Sequence, residues 1–424
     1  MSTASAAPSE AGWPRLVLLA LTMTAGNCML WVFSAVQESA KAEMGLSDAQ
    51  LGLLQGLAVS IPLAVLSIPV GILVDRRNRV RLLVAMSAAW SLGTLLTAWS
   101  GSATMLFAAR MLTGLGANIS TTVAISLAAD LCRPEARGRS LLLLTIGKYA
   151  GLALAFALGG FLLASLARAD LLPGMSAWRE VHLVLGAASS VLTLAILFLR
   201  EPARREQRVG EAAPVREVLG ELWQYRRFLA PLFLGQVSVL MADASATIWA
   251  APVLARNFGL APPDFAGWMG LVTFGSGVLG ALAGGFAADF GHRRARRGGI
   301  LIGAVAASLL ALPAALFPLA PSALGFALAL FVLLLGGTIT GLVTATALAV
   351  LLPNELRGLA VGAFIAIGGL IAFGLSPSLV VAVSGAFGGE SGLAPALALV
   401  GLTVSALGCL GFELARRAAP EPIR

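Results

Sequence analysis

The sequence predicts an all-α integral membrane protein of twelve transmembrane helices, arranged as two parallel halves of six. Composition, the spacing of apolar runs between charges, and an internal repeat carry that prediction. Hydrophobic residues make up 58% of the 424 residues and charged ones only 12%, with a mean hydropathy of +0.89. A water-soluble domain does not have this composition. A hydrocarbon core about 30 Å thick takes about 20 apolar helical residues per crossing. Cutting the chain at its charges and turn residues leaves twelve such runs, near 16–38, 51–74, 82–99, 103–128, 141–165, 180–199, 227–255, 264–288, 299–318, 322–350, 359–383 and 394–414.

Each run has a recognisable boundary. Arg15 and Glu38 bracket the first, Asp48 and Asp75 the second, Arg81 and Gly101 the third. Ser102 and Asp130 bracket the fourth, Arg139 and Arg168 the fifth, Glu180 and Arg200 the sixth. In the second half the brackets are Arg227 and Arg256, Asp264 and Asp289, Arg297 and Pro318, Pro321 and Pro353, Arg357 and Gly385, then Glu390 and Glu413. Residues 1–15 read as an N-terminal tail, 16–199 as one half, 200–226 as a polar linker with an amphipathic end, 227–414 as the other half and 415–424 as a C-terminal tail. The Ala/Ser-rich start lacks a basic region and a cleavage site, so no removable signal peptide is expected.

Lys and Arg are retained on the cytoplasmic side of short loops. With both termini cytoplasmic, nearly every arginine lies inside, including the seven from Arg200 to Arg227, and only Lys41, Arg168, Arg179 and Arg256 face outward. The net charge of +8 is therefore a topology signal; dispersal over short loops argues against nucleic-acid binding. Cys28, Cys132 and Cys409 lack metal-ligand spacing and an even count, so neither a metal site nor a disulfide framework is expected. "GSGVLG" at 275–280 fits a G-x-G-x-x-G pattern inside an apolar helix with no strand before it, which is no nucleotide site. No cofactor is expected.

The repeat appears in the loops. Gly71, Asp75 and Arg79 recur with the same spacing as Gly285, Asp289 and Arg293, and "EARG" at 135–138 recurs as "ELRG" at 355–358. Both pairs fall at equivalent places in the two halves, and parallel halves related by an axis along the membrane normal are a transporter architecture. The pattern Gly71, Leu73, Asp75, Arg76, Arg79, its copy at 285–293, the central basic linker and Arg110-Met-Leu-Thr-Gly114 resemble the major facilitator superfamily. "GLSDAQLGLLQG" (45–56), "WRE" (178–180), "REP" (200–202) and "PNELRG" (353–358) resemble its spinster-like members over nearly the whole chain. The resemblance implies alternating access in a bacterial inner membrane, a lipid-like substrate and gating through the loop motifs. Spinster-like proteins commonly carry an Asp-Arg pair in helix 1 and a Glu in helix 4; here Met29-Leu30 and Ala117 stand there. Their coupling chemistry therefore does not carry over.

The gating set read from these motifs is Gly71, Asp75, Arg76, Arg79, Asp130, Arg137, Asp289, Arg293 and Arg357. Asp75 is expected to meet the positive end of helix 11, and Arg79 to pair with Asp130, stitching the halves together on the cytoplasmic side. Gly147/Gly151, Gly280/Gly284, Gly52/Gly56 and Gly358/Gly362 each form a G-x-x-x-G pair, which permits close backbone approach between helices 5 and 8 and between 2 and 11.

A charge at the bilayer centre costs at least about 2.5–3.5 kcal/mol, so Lys148, Arg110 and Asp243 mark a candidate site. Asn27, Trp31, Asn118, Thr121, Thr122, Tyr149, Gln236 and Trp249 complete a part-polar, part-aromatic cavity. A helix-bundle brace is the competing role for Arg110. Asp243 is the acidic residue near the midplane, hence the coupling group if protons drive transport. His182 and His292 lie near helix ends, and neither H-E-x-x-H nor G-x-S-x-G occurs, which argues against an enzyme. The expected function is a monomeric secondary transporter of an amphiphilic, lysolipid-like anion. A small organic carboxylate or drug-like compound is the alternative substrate, and a transport-inactive receptor or scaffold of the same fold the alternative role.

Overall fold

Inside a bilayer no water satisfies backbone amides, so the chain crosses as helices that satisfy themselves. The computed structural model describes residues 12–132, 137–169, 171–204, 215–293 and 297–421. Among these, twelve helical stretches are long and apolar enough to cross a membrane. In the first half α1 (Gly12–Met44) is followed by α2 (Asp48–Gln55) and α3 (Leu57–Arg76), one crossing broken at Gly56. Then come α4 (Arg79–Ala98), α5 (Ala103–Leu131), α6 (Arg137–Ala169) and α7 (Ala177–Ile196). The linker contains a short helix, α8 (Val215–Gln224).

The second half runs α9 (Arg226–Phe258), α10 (Pro262–Arg293), α11 (Ile302–Ala314), α12 (Ala323–Leu351), α13 (Asn354–Gly368), α14 (Ser376–Ser384) and α15 (Leu393–Ala418). A π-helical segment, Gly369–Leu375, joins α13 to α14 in one crossing. Polar caps start several spans: Ser47 forms a capping box on α2, Asn78 caps α4, and Ser102 and Ser322 cap α5 and α12. Alternation of the spans gathers Arg76, Arg79, Arg226, Arg293 and Arg357 on one face, called the arginine-rich face below.

Glycines set the helix spacing, since lipid supplies no hydrophobic drive between helices. A Cβ on Gly116 would overlap the Met86 carbonyl oxygen, and one on Gly114 would lie 2.8 Å from Val59 Cα, so α5 lies flush on α4 and α3. Two of the four G-x-x-x-G pairs serve a different contact from the one expected. Gly147 and Gly151 meet Ala20 and Thr24 of α1, and Gly280 and Gly284 meet Thr338 and Ile339 of α12. Both therefore pack within a half. The seam between α6 and α10 uses Gly160 against Pro262 and Ala266, Gly270 against Ala153, and Gly277 against Tyr149. Gly52 and Gly56 do cross the seam: Gly52 faces Ser378, and a Cβ on Gly56 would lie 2.7 Å from the Gly374 carbonyl oxygen. The break in the α2–α3 crossing thus lies against the π-helical segment. Gly362 has no neighbour within 4 Å, and the side of Gly358 lies outside the described residues.

Opposite the arginine-rich face, charge locks the two halves together. Arg256 of α9 donates to both oxygens of Glu38 at 3.0 and 2.8 Å and to Asp48 at 2.6 and 2.8 Å. Lys41 bridges Asp48 and Glu390 at 2.7 and 2.6 Å. Among ion pairs between described side chains, those that join the halves all lie here. A buried polar chain backs them up. Arg110 donates to Gln55 at 3.1 Å, Gln55 to Gln37 at 3.2 Å, and Gln37 to the Ile248 carbonyl across the seam at 2.6 Å.

Arg256→Gln is expected to loosen this latch. Charged hydrogen bonds of this kind contribute about 1.5–3 kcal/mol, enough to repopulate a marginal two-state equilibrium. Spin labels at Gln50 and Gly389, on opposite halves, report it by electron-electron resonance in nanodiscs: a longer-distance population appears in the variant. An unchanged distance distribution would mean that the ion pairs do not hold the face closed.

Candidate functional site

A cavity of about 340 Å³ lies between the halves. Asn27 and Trp31 of α1 line it, with Thr145, Lys148, Tyr149 and Leu152 of α6, and Gln236, Leu240, Asp243 and Thr247 of α9. Thr273 and Ser276 of α10, Gly337, Thr338 and Gly341 of α12, and Phe373 of the π-helical segment close it. Thr145 and Lys148 lie in the arginine-rich half of α6, and Gly341 in that half of α12, so the space runs from the middle of the bundle toward the arginine-rich face.

Lys148 is exposed, and what it is exposed to is this cavity. Its ammonium lies 5.7 Å from the Tyr149 ring centroid, and no carboxylate comes within 4.0 Å of it among the described residues. The Tyr149 ring occupies the notch left by Gly277, which a Cβ would fill. Its hydroxyl is 3.0 Å from that of Thr338, which itself donates to the Leu334 carbonyl at 3.0 Å, so Tyr149 is the donor. This bond joins α6 to α12 across the cavity. Asp243 lies against Gly337 in the same manner; a Cβ there would overlap Oδ2. Asp243 Oδ1 is shut off from solvent without a hydrogen-bond partner. Gln236 accepts from Thr344 at 2.9 Å, and Trp31 packs on Phe373 with ring centroids 6.2 Å apart.

Of the residues predicted from sequence, the structure brings Lys148, Asn27, Trp31, Tyr149, Gln236 and Asp243 together. It places five elsewhere, among them Thr122, which is exposed and does not line the cavity. Arg110 is 2% exposed and donates to the Leu30 carbonyl at 2.8 Å and to Gln55, which makes it a brace of the first half. Trp249 is fully buried, with Nε1 donating to the Pro377 carbonyl at 3.2 Å. Asn118 and Thr121 bond back to carbonyls one turn earlier in α5 and do not line the cavity. Gly337, Thr338 and Phe373 were not anticipated. The signal for Gly337 and Thr338 was "GGTITG" at 336–341, a small polar run inside an otherwise leucine-rich span. Met29 and Ala117, which replace the spinster-like carboxylates, share an apolar cluster with Trp90.

At the arginine-rich face Arg79 is buried and pairs with Asp130 and with Glu201 at 2.8 Å. Glu201 Oε2 also accepts from the Val80 amide at 2.9 Å. These contacts do not stitch the two halves together, because α5 supplies Asp130 and the start of the linker, just after α7, supplies Glu201. Arg76, Asp289 and Arg293 are exposed, a Cβ on Gly71 would meet nothing within 4 Å, and Arg357 donates to the Leu352 carbonyl at 2.9 Å. The side chains of Asp75 and Arg137 lie outside the described residues. The "WRE" motif serves the packing of the first half, since Trp178 and Arg179 both donate to Glu43 and so tie α7 to the end of α1.

Comparison with known proteins gives this architecture a family. The family model for the Major Facilitator Superfamily matches residues 16–377. An MFS-type efflux pump of Mycolicibacterium smegmatis is 27% identical over 281 residues, covering 65% of this chain and 62% of that protein. The 3-(3-hydroxy-phenyl)propionate transporter of Escherichia coli is 30% identical over 57% of this chain and 56% of its own length. The 4-hydroxybenzoate transporter of Pseudomonas aeruginosa is 30% identical over 59% and 58%. The matches thus span less than two thirds of these relatives. A solved bacterial homologue of the human lysosomal transporter Spinster, inward-facing and unoccupied, superposes with a TM-score of 0.80 at 22% identity over 97% of this chain and 98% of that one, a likeness of fold. The chain belongs to the Major Facilitator Superfamily, a family of transporters and not of enzymes.

Proposed function

We propose that this protein is a secondary active transporter of a small organic anion, a carboxylate on an apolar or aromatic body, working by alternating access. The observation that carries the reading is Lys148: a cation facing the cavity, with no carboxylate within ion-pair distance among the described residues. A substrate carboxylate supplies the missing partner, and Trp31, Tyr149 and Phe373 supply faces for an apolar body. The cavity volume of about 340 Å³ is at the low end of the range of about 300–1,000 Å³ typical of ligand sites. That size favours a compact acid over the lysolipid-like amphiphile that the sequence suggested. The names of the two aromatic-acid relatives point the same way.

Retention of basic loops inside the cell makes the arginine-rich face cytoplasmic, with both termini inside a bacterial inner membrane. The latch through Arg256 then closes the outer side, and the cavity reaches toward the cytoplasm, as in an inward-facing state. Asp243 is the coupling group in this reading. Lys148 and Asp243 come from opposite halves, so rocking changes their separation and with it the affinity of Asp243 for a proton.

Lys148→Ala is expected to weaken binding of 3-phenylpropionate and 4-hydroxybenzoate about tenfold to a hundredfold, the effect of one charge-assisted hydrogen bond. Lys148→Arg should keep part of it, since charge matters more here than headgroup shape. Isothermal titration of the purified protein measures both, with a single-chain lysolipid as competitor. Equal acid affinity in wild type and Lys148→Ala, or tight lysolipid binding without acid binding, removes the proposed reading.

Coupling is tested separately in proteoliposomes. Asp243→Asn should still exchange labelled acid for unlabelled acid and should no longer accumulate it under an inward proton gradient. Accumulation at the wild-type level would exclude Asp243 as the proton site.

A further inference from the structure

The α9 wall of the cavity says something about the body of the substrate. Asp243 lines the cavity wall, and neither of its oxygens receives a hydrogen bond from any described residue. One of them is closed off from solvent altogether. A carboxylate offers about four acceptor positions, and leaving such a group unmatched in a low-dielectric interior is costly. The position is nevertheless built with care: Gly337 is bare so that Oδ2 can rest on the α12 backbone. The nearby Thr247 hydroxyl is spent on the Asp243 backbone carbonyl at 2.8 Å, and the Tyr149 hydroxyl on Thr338. These two hydroxyls are therefore spent, and the Lys148 ammonium is taken by the substrate carboxylate in the proposed reading.

We infer that Asp243 is the specificity-determining acceptor for a hydroxyl on the substrate, so that the transported class is hydroxylated aromatic or apolar carboxylates and not plain ones. The inference rests on the reading that Lys148 takes the substrate carboxylate. A neutral hydroxyl is the donor that agrees with the proposed reading, because it leaves the substrate a net anion, whereas a cationic donor would make it a zwitterion. A site that hydrogen-bonds a substrate hydroxyl rejects the analogue lacking it far more strongly than an apolar pocket rejects a missing methylene.

Acceptor and proton-carrier roles at Asp243 are separable by substitution. Asn keeps a carbonyl acceptor and cannot take up a proton; Leu has similar bulk and no acceptor. The full-length protein is titrated with two matched pairs, 3-phenylpropionate against 3-(3-hydroxyphenyl)propionate and benzoate against 4-hydroxybenzoate. In wild type the hydroxylated member of at least one pair should bind about tenfold or more tighter, the effect of a hydrogen bond to a charged group. That ratio should persist in Asp243→Asn and fall to one in Asp243→Leu. Gly337→Ala gives an independent route to the same loss, because its methyl group displaces the carboxylate without altering it.

Equal affinity within both pairs in wild type, with binding still dependent on Lys148, overturns the hydroxyl inference and leaves the anion reading standing. Absence of binding by all four acids overturns the anion reading, and this inference with it. Tighter binding of the zwitterionic 4-(aminomethyl)benzoate than of 4-hydroxybenzoate overturns the neutral donor in favour of a cation. A ratio that survives in both Asp243→Leu and Gly337→Ala assigns hydroxyl recognition to another residue.

Discussion

A charge inside a bilayer has no water to stabilise it, and the arrangement of this molecule depends on that constraint. Most arginines lie beyond the hydrocarbon, at one face. Arginines that are buried there or lie elsewhere are surrounded: Arg79 by Asp130 and Glu201, Arg256 by Glu38 and Asp48. Arg110 is held by a backbone carbonyl and a glutamine, under a phenylalanine ring 5.3 Å away. Lys148 and Asp243 depart from the pattern. Each faces the space between the halves without a close partner among the described residues, and each is positioned by a glycine on the facing helix, through Tyr149 on Gly277 and Asp243 on Gly337. Under the proposed function these two charges are set aside for something that arrives.

Helix packing follows from the same lack of water. With no hydrophobic drive between helices, contacts rest on close backbone approach and on shape. Within the halves that approach is extreme, as at Gly116 against Met86 and Gly147 against Ala20. Between the halves it recurs at Gly160, Gly270 and Gly277 along α6 and α10 and at Gly52 and Gly56, beside an apolar cluster shared by both halves. The ion pairs that join the halves lie at the face opposite the arginines, which suits the rocking cycle of the proposed function. The seam also contains the two departures from regular helix, the break at Gly56 and the π-helical turn at Gly369–Leu375, which face one another. π-Turns concentrate at functional positions, and this one contributes Phe373 to the cavity.

The likeness to spinster-like proteins extends to fold and departs in chemistry. Where those proteins carry ionisable residues in helices 1 and 4, this chain has Met29, Leu30 and Ala117, all buried among apolar neighbours. The ionisable pair here sits on α6 and α9, one residue from each half. A pair divided in this way changes its separation when the halves move, whereas a pair inside one half does not. Under the proposed function, coupling has thus been relocated to the seam, where the motion is largest.

Much of this was legible in the sequence because a bilayer imposes one-dimensional rules. Apolar run length, arginine asymmetry and the repeated Gly-Asp-Arg spacing each report a local or periodic requirement, and they yielded twelve spans, two parallel halves and the family. Lys148 and Asp243 stood out for a similar reason, since a lone charge in an apolar run is visible without coordinates. Which side of a helix faces which neighbour is not encoded in that way. Gly147 and Gly151 look alike whether they meet α10 or α1, Arg110 reads equally as ligand or brace, and Trp249 gives no sign that Pro377 caps its indole. The run that holds Gly337 and Thr338 was visible but their roles were not, because these are to make room and to accept a hydrogen bond from Tyr149, nearly two hundred positions earlier in the chain. Sequence determined how often the chain crosses and where its unmatched charges lie; only the tertiary structure decided which helix faces meet, because helix rotation is set by side-chain fit across the bundle and not by the hydropathy of the run itself.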